Sequence, residues 1–426
     1  MIIGFNALLR QGVALCLIAT PLCALLYDPN VIFPFITPKA FAFHALVLCE
    51  LVMSSVLLMT DQQLREKLFL LSKSKIFKSY LIYFLFISIS GFLAENSLVA
   101  MWGSPERADG IYLRVFCIYS MLIGSLLLNY NHWRLLFLTI IITGIILLFF
   151  QWGQYTRNVT RPGSLLNQPT FLASFYIFAI ASCFLLSALI VQLKFRLIVY
   201  FLALGLTLSF VIGIIISGTR SSLLAVVFSF LVVYLWHFKK NITSQTIGIA
   251  TILALLLLFV CTLNFSIDGT DAISRLISIT KNYSSVESRL INVEISLSSM
   301  SPLHSSIKSF LFGWGWNNYY LAWDASYLPS INKFDPAPFD KSHNTYIDAV
   351  VMIGLFGFLA FINYLYFIFI EIKNIKHRKI KIPFVFLFIA VLVQYLFTFD
   401  SLIDVMMFNI FASFLIFTEI QERLTC

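Results

Sequence analysis

Three arginines and one histidine stand where their side chains could do chemistry. Arg161 lies in the stretch RPGSLLNQP, Arg220 in SGTRSS and Arg289 in ESRL. A guanidinium offers a planar fork of donors that pairs two-fold with phosphate oxygens. Several such groups converging on one membrane face would suit a diphosphate leaving group. Each also has a plainer reading, as a contact to lipid headgroups or to a local acid, such as Glu287 beside Arg289. The phosphate reading is strongest at Arg220, wedged in a tight turn between two long apolar runs. His343 lies in FDKSHNTYIDAVVMIGLFG, where a polar stretch enters an apolar one. There it is reachable from water yet framed by a low dielectric, which suits a general base near neutral pH. An interfacial or helix-capping role fits the same position. The segment FGWGWNNYYLAW gathers three Trp and two Tyr, among them Trp314, Trp316 and Tyr319. Flat aromatic faces serve either as a sugar-stacking surface or as an interfacial belt.

Other chemistries lack their residues. No His, Asp and Glu set has metal-ligand spacing, so no metal site is expected. There is no nucleophile elbow and no phosphate-binding loop. The seven Cys include no CxxC pair, and six of them sit in apolar runs, against a disulfide framework.

The elements that position these residues must be membrane helices. Of 426 residues, 60% are apolar and 12% charged, and 44 are Phe. A water-soluble domain carries about twice that charged fraction. Unbroken runs such as 135–150 exclude the alternating pattern of a transmembrane barrel. The reading is all-α: a single integral membrane domain over 1–426 with about 12 spans. They are placed near 8–27, 40–60, 79–94, 111–128, 135–151, 170–190, 197–216, 223–237, 246–264, 345–370, 382–399 and 405–420. The first is taken as a retained helix, since no small-residue cleavage site follows it.

Charge sets the expected orientation. With the N-terminus inside, one set of loops holds seventeen Lys and Arg, and the short loops opposite hold six. Basic residues collect in cytoplasmic loops, so both termini are expected inside and residues 265–344 outside as one long periplasmic loop. Its first half, near 285–309, has apolar positions at helical spacing and is expected along the membrane surface. The net charge of +9 is explained by this bias, and no exposed basic domain is left for nucleic acid.

In order along the chain, RPGSLLNQPTFLASF, SGTRSSLLAVVFSFLVVY, ESRL, FGWGWNNYY and FDKSHNTYIDAVVMIGLFG resemble the O-antigen ligase and polymerase superfamily, the Wzy C family. The last stretch is similar to the ligase-type pattern, met here by His343, Asn344, Gly354 and Gly357. The resemblance covers about residues 150–370. It implies a multi-pass enzyme of the bacterial inner membrane with a periplasmic site and no cofactor. Such an enzyme takes a glycan from undecaprenyl diphosphate and passes it to an acceptor hydroxyl. By matching, Arg161, Arg220 and Arg289 would hold the diphosphate, His343 would take the acceptor proton, and Asn344 would orient that turn. Lipid A–core is the first expected acceptor. Repeat-unit polymerisation, protein glycosylation and non-enzymatic polysaccharide transport stand behind it in that order. Transport would call for charged groups at mid-membrane, where Glu50 is the clearest.

Overall fold

The computed structural model describes residues 2–190, 196–237, 284–301, 305–333 and 339–424. Sixteen α-helices and no strands occur among them. In chain order these are α1 (Ile2–Ala19), α2 (Thr37–Thr60), α3 (Gln62–Leu71), α4 (Lys75–Phe92), α5 (Ser97–Trp102) and α6 (Ile111–Leu127). There follow α7 (Tyr130–Tyr155), α8 (Pro169–Leu189), α9 (Arg196–Ile216) and α10 (Arg220–His237). The last six are α11 (Ser284–Ser299), α12 (Ile307–Phe312), α13 (Tyr319–Ala325), α14 (Thr345–Asn374), α15 (Arg378–Tyr395) and α16 (Leu402–Leu424).

Among the described residues, eight helical segments are long and apolar enough to cross a membrane, including α2, α4, α7, α8, α9, α14 and α16. α6 and α10 are shorter apolar helices. Eleven of the twelve expected spans are helical, and the ninth, 246–264, lies outside the described residues. The protein is thus an all-α, polytopic membrane protein.

Local sequence sets many helix ends. Asp61 caps α3 by accepting from Leu64 N, and it also pairs with Arg10. Asn96 and Ser306 cap the short helices α5 and α12, which end at Gly103 and Gly313 in the left-handed region. Such caps satisfy amide donors that the first helical turn leaves open.

The chain forms two compact units. One comprises 1–136, 284–375 and 398–426, and the other 137–283 and 376–397. In the first, α4 packs on α14, α6 on α16 and α1 on α2. In the second, α10 packs on α15, and α8 on α9 and α15. α8 and α16 are the inner helices of their units, with 83% of their apolar windows buried. A helix apolar all round belongs in such a place. The remaining long helices turn residues such as Phe41, Phe149 and Phe201 outward, as lipid-facing surface requires.

Candidate functional site

Arg161 and Arg220 belong to the second unit and emerge from one end of it. Gln151, in the last turns of α7, donates to the Gly213 carbonyl near the end of α9 (2.8 Å) and accepts from the Tyr176 hydroxyl on α8 (2.8 Å). That contact aligns the α7–α8 loop with the α9–α10 turn. The α7–α8 loop is unusual: Asn158, Arg161, Ser164 and Asn167 all have φ between 53° and 63°. Left-handed backbone at four non-glycine residues costs free energy and persists only where neighbours hold it. Ser164 supplies the hold, taking Gln154 Oε1 on its amide (2.7 Å) and donating its hydroxyl to the Leu147 carbonyl (2.7 Å). Arg161 is exposed on this loop, and Arg220 is half-buried as the first residue of α10. Gly218, at φ 66°, makes the turn before it, and the Ser217 hydroxyl reaches Thr219 Oγ1 at 2.9 Å.

Arg289, His343, Asn344 and the aromatic segment belong to the first unit. His343 has φ 60°. It is followed by Asn344, whose Oδ1 accepts from Tyr346 N (3.0 Å) and Ile347 N (3.2 Å) and so caps α14. The Ser342 amide donates to Asp348 Oδ1 (2.7 Å), and its hydroxyl donates to the Asn344 carbonyl (2.8 Å). Thr345 ties the same turn to the Thr398 carbonyl through its amide and its hydroxyl. The imidazole lies between the Phe339 ring (5.7 Å, edge to face) and the Phe399 ring (5.2 Å). Phe399 also lies under the Arg107 guanidinium at 4.4 Å, and Arg107 forks onto both Asp340 oxygens at 2.8 and 2.9 Å. Partial burial would raise the Asp340 pKa. The hydrogen bonds and charge of Arg107, with Lys341 and His343, outweigh this and hold it below its ordinary value.

α14 is a broken helix. Gly354 sits at φ 69°, ψ −174° in its middle. The break frees the Val351 and Met352 carbonyls, which accept the Trp314 amide (2.9 Å) and the Gly315 amide (3.1 Å). The Ser90 hydroxyl adds a further bond to Met352 O. Irregular backbone at membrane depth is tolerated where protein groups satisfy it in this way. A Cβ at Gly354 would strike the Leu311 carbonyl and the Phe312 nitrogen, so the residue must be glycine on two counts.

The aromatic segment is largely packed inward. Trp316 is 4% exposed and Tyr319 fully buried, and Trp314 is half-buried. Trp316 donates its indole N–H to the Asp109 carbonyl (3.0 Å), and its ring faces Arg114 and Lys341. Trp314 donates to Ser299 O (3.0 Å). The Tyr319 hydroxyl joins Asn292 Oδ1 (2.9 Å) and Ser296 Oγ (2.6 Å) on α11, and burial first of all raises its pKa. α11 thus turns its polar Ser288–Asn292–Ser296 face inward and leaves Arg289 exposed.

Beneath Trp316 lies a buried charge network. Lys341 Nζ pairs with Asp109 Oδ2 (3.1 Å) and donates to Asn317 Oδ1 (2.6 Å), and Arg114 pairs with Asp400 (3.0 Å). Lys341, Asp109, Arg114, Asp400 and Asp348 line a cavity of about 20 Å³, room for a single water. Asp109 Oδ1, Asp348 Oδ2, Asp400 Oδ1 and Arg114 Nε have no hydrogen-bond partner among the described residues.

Residues 202–362 match the family model described as O-Antigen ligase. The match covers less than half of the chain and supports kinship of that stretch with the O-antigen ligase and polymerase-type families. No curated protein matches the sequence significantly. The O-antigen ligase region contains Arg220, Arg289, His343 and Asn344, together with the broken half of α14, while Arg161 precedes it.

The structure brings together His343, Asn344 and the aromatic segment around the start and the break of α14, and it brings Arg161 and Arg220 to one end of the other unit. Sequence reasoning missed Asp109, Arg107, Lys341 and Asp340, which brace the His343 turn and the aromatic segment. A faint signal existed, since Arg107 and Arg114 fall among the loops expected to be poor in basic residues.

Proposed function

We propose that the protein transfers a glycan from undecaprenyl diphosphate to an acceptor hydroxyl at the periplasmic face of the inner membrane, joining O-antigen to lipid A–core. The observation that carries the reading is the His343 turn. Within the O-antigen ligase region, a half-buried imidazole is held on left-handed backbone by Asn344, Ser342, Phe339 and Phe399. A residue held so firmly in a costly conformation at a helix mouth is suited to a positional task.

In the proposed reaction the acceptor oxygen attacks the anomeric carbon of the donor. The bond from that carbon to the phosphate oxygen breaks, and the diphosphate leaves with the electron pair. Arg161, Arg220 and Arg289 counter the charge that develops on it. His343 takes the acceptor proton as attack proceeds, and Asn344 keeps the turn in register. Trp314, Trp316 and Tyr319 act on the substrate through the shape of the wall they build, with Trp314 the one available for direct sugar contact.

The test is a reconstituted assay with lipid-linked oligosaccharide and either lipid A–core or a second lipid-linked unit. Glycan attached to lipid A–core supports the ligase reading. Elongated lipid-linked chains alone would make the protein a polymerase, and no product with either acceptor would overturn transfer itself.

A further inference from the structure

A buried polar site that the transfer reaction does not use lies inside the first unit, beneath Trp316. Asp109 and Arg114 reach it from before and within α6, Lys341 and Asp348 from before and within α14, and Asp400 from the turn ahead of α16. All five line the cavity of about 20 Å³. Asp109, Arg114, Lys341 and Asp348 are each no more than 6% exposed. Lys341 Nζ directs its protons at Asp109 Oδ2, Asn317 Oδ1 and the Met352 sulfur. Four buried polar atoms of the lining residues are left over: Asp109 Oδ1, Asp348 Oδ2, Asp400 Oδ1 and Arg114 Nε.

We propose that this cavity holds one water molecule and one proton, the proton on Asp348 Oδ2. Two separate counts lead there. The first is of hydrogen bonds. A water accepts two and donates two, and the leftover atoms are one donor and three acceptors. A water can therefore satisfy Arg114 Nε and two of the carboxylate oxygens. The third oxygen is satisfied when it carries a proton and donates, which gives the water its full set of partners. The second count is of charge. Three carboxylates face two cations, and one added proton makes the set neutral, as burial demands. Close by, Arg107 and Asp340 cancel in their fork, Tyr83 adds a phenol to the lining, and His343 lies against Phe399, a residue of the cavity wall. Asp348 is the carrier because Asp109 pairs with Lys341 and Asp400 with Arg114. The bond that Asp348 accepts from the Ser342 amide (2.7 Å) brings no charge. A metal ion would leave Arg114 Nε unsatisfied, since a cation accepts no hydrogen bond. No three acidic, His or Cys side chains among the described residues are grouped to hold one. The inference needs no transfer activity and stands apart from the reaction proposed above.

The test is infrared spectroscopy of the purified full chain, carrying aspartate isotopically labelled at its side-chain carboxyl. The carbonyl stretch of a protonated carboxyl stands clear of the carboxylate bands, and the label separates aspartate from the buried Glu50. A labelled acid band equal to one carboxyl is expected at pH 7, shifted in heavy water, absent from Asp348→Asn and kept in Asp340→Asn. In Asp348→Asn the amide donates where the acid did, so its thermal midpoint is expected within about 2 °C of the parent. A density map that resolves ordered water should show one peak within about 3.2 Å of all four leftover atoms. The band and the peak are both read in the parent protein. No labelled acid band at pH 7, a full band surviving in Asp348→Asn, a midpoint of that variant lowered by more than about 2 °C, or the lack of the density peak would each overturn the proposal.

Discussion

Gly354→Ala is the substitution whose cost the structure fixes most closely. The residue occupies φ 69°, ψ −174°, a region open essentially to glycine, and forcing an alanine into it costs about 1–3 kcal/mol. The added Cβ would also meet the Leu311 carbonyl and the Phe312 nitrogen. These are backbone atoms, which cannot swing aside as a side chain would. α12 must therefore withdraw, and with it the Trp314 and Gly315 amides that satisfy the Val351 and Met352 carbonyls. Each of those bonds contributes about 0.5–1.5 kcal/mol net. The sum is about 2–6 kcal/mol, a large fraction of a typical folding free energy. Gly205 and Gly153 are suitable controls, since a Cβ at either would have nothing within 4 Å. Gly205→Ala should be neutral or raise stability by up to about 1 kcal/mol. Unfolding in mixed detergent micelles, followed by Trp fluorescence, measures all three. A Gly354→Ala protein within about 1 kcal/mol of the parent would refute the claim that the break holds the aromatic segment.

Lys341→Met strands the Asp109 carboxylate, buried at 5% exposure, and should cost about 3–5 kcal/mol in the same assay. Adding Asp109→Asn should restore part of it, and additive losses would show that the two do not act as a pair. The Asp340 pKa lies below its ordinary 3.8, so its pairing with Arg107 stabilises the fold above about pH 4 and is lost as pH falls through the lowered value. The midpoint gap between the parent and Arg107→Gln should therefore be present at pH 7 and shrink as pH falls below about 4, and a gap unchanged by acid would contradict the pairing. Arg220→Lys keeps the charge but loses the fork. Donor turnover should fall at least about tenfold with the protein still folded in the membrane, and full activity would dismiss two-fold phosphate recognition.

Much of the architecture was legible because a membrane span needs only length and apolarity. The expected segments near 40–60, 170–190 and 345–370 coincide with α2, α8 and α14 within a few residues. The sequence offered a capping role at His343, and the cap falls one residue later, on Asn344. The break at Gly354 was not legible. Glycine within a helical pattern signals only a lower propensity, and the requirement comes from α12, some forty residues earlier in the chain, pressing on the backbone. The aromatic segment was ambiguous for a different reason. Composition cannot tell an open ring face from one covered by Arg114 and Lys341. The amphipathic reading of 285–309 found the helix and missed its inward face, because Asn292 and Ser296 are polar residues buried by hydrogen bonds to Tyr319 and Lys341. The pairing of Lys341 with Asp109 joins residues far apart in the chain, and no periodicity carries that information.

The central claim is that His343 serves the transfer step and the arginines serve the diphosphate. The most direct measurement compares His343→Ala with Arg220→Ala, reading lipid-linked donor binding and single-turnover transfer in the same preparations. A base acts only as attack proceeds, so its loss lowers the rate and spares ground-state affinity. The account predicts His343→Ala with near-normal donor binding and transfer reduced by about 10²–10⁴, and Arg220→Ala impaired in both. Near-normal transfer by His343→Ala would contradict it.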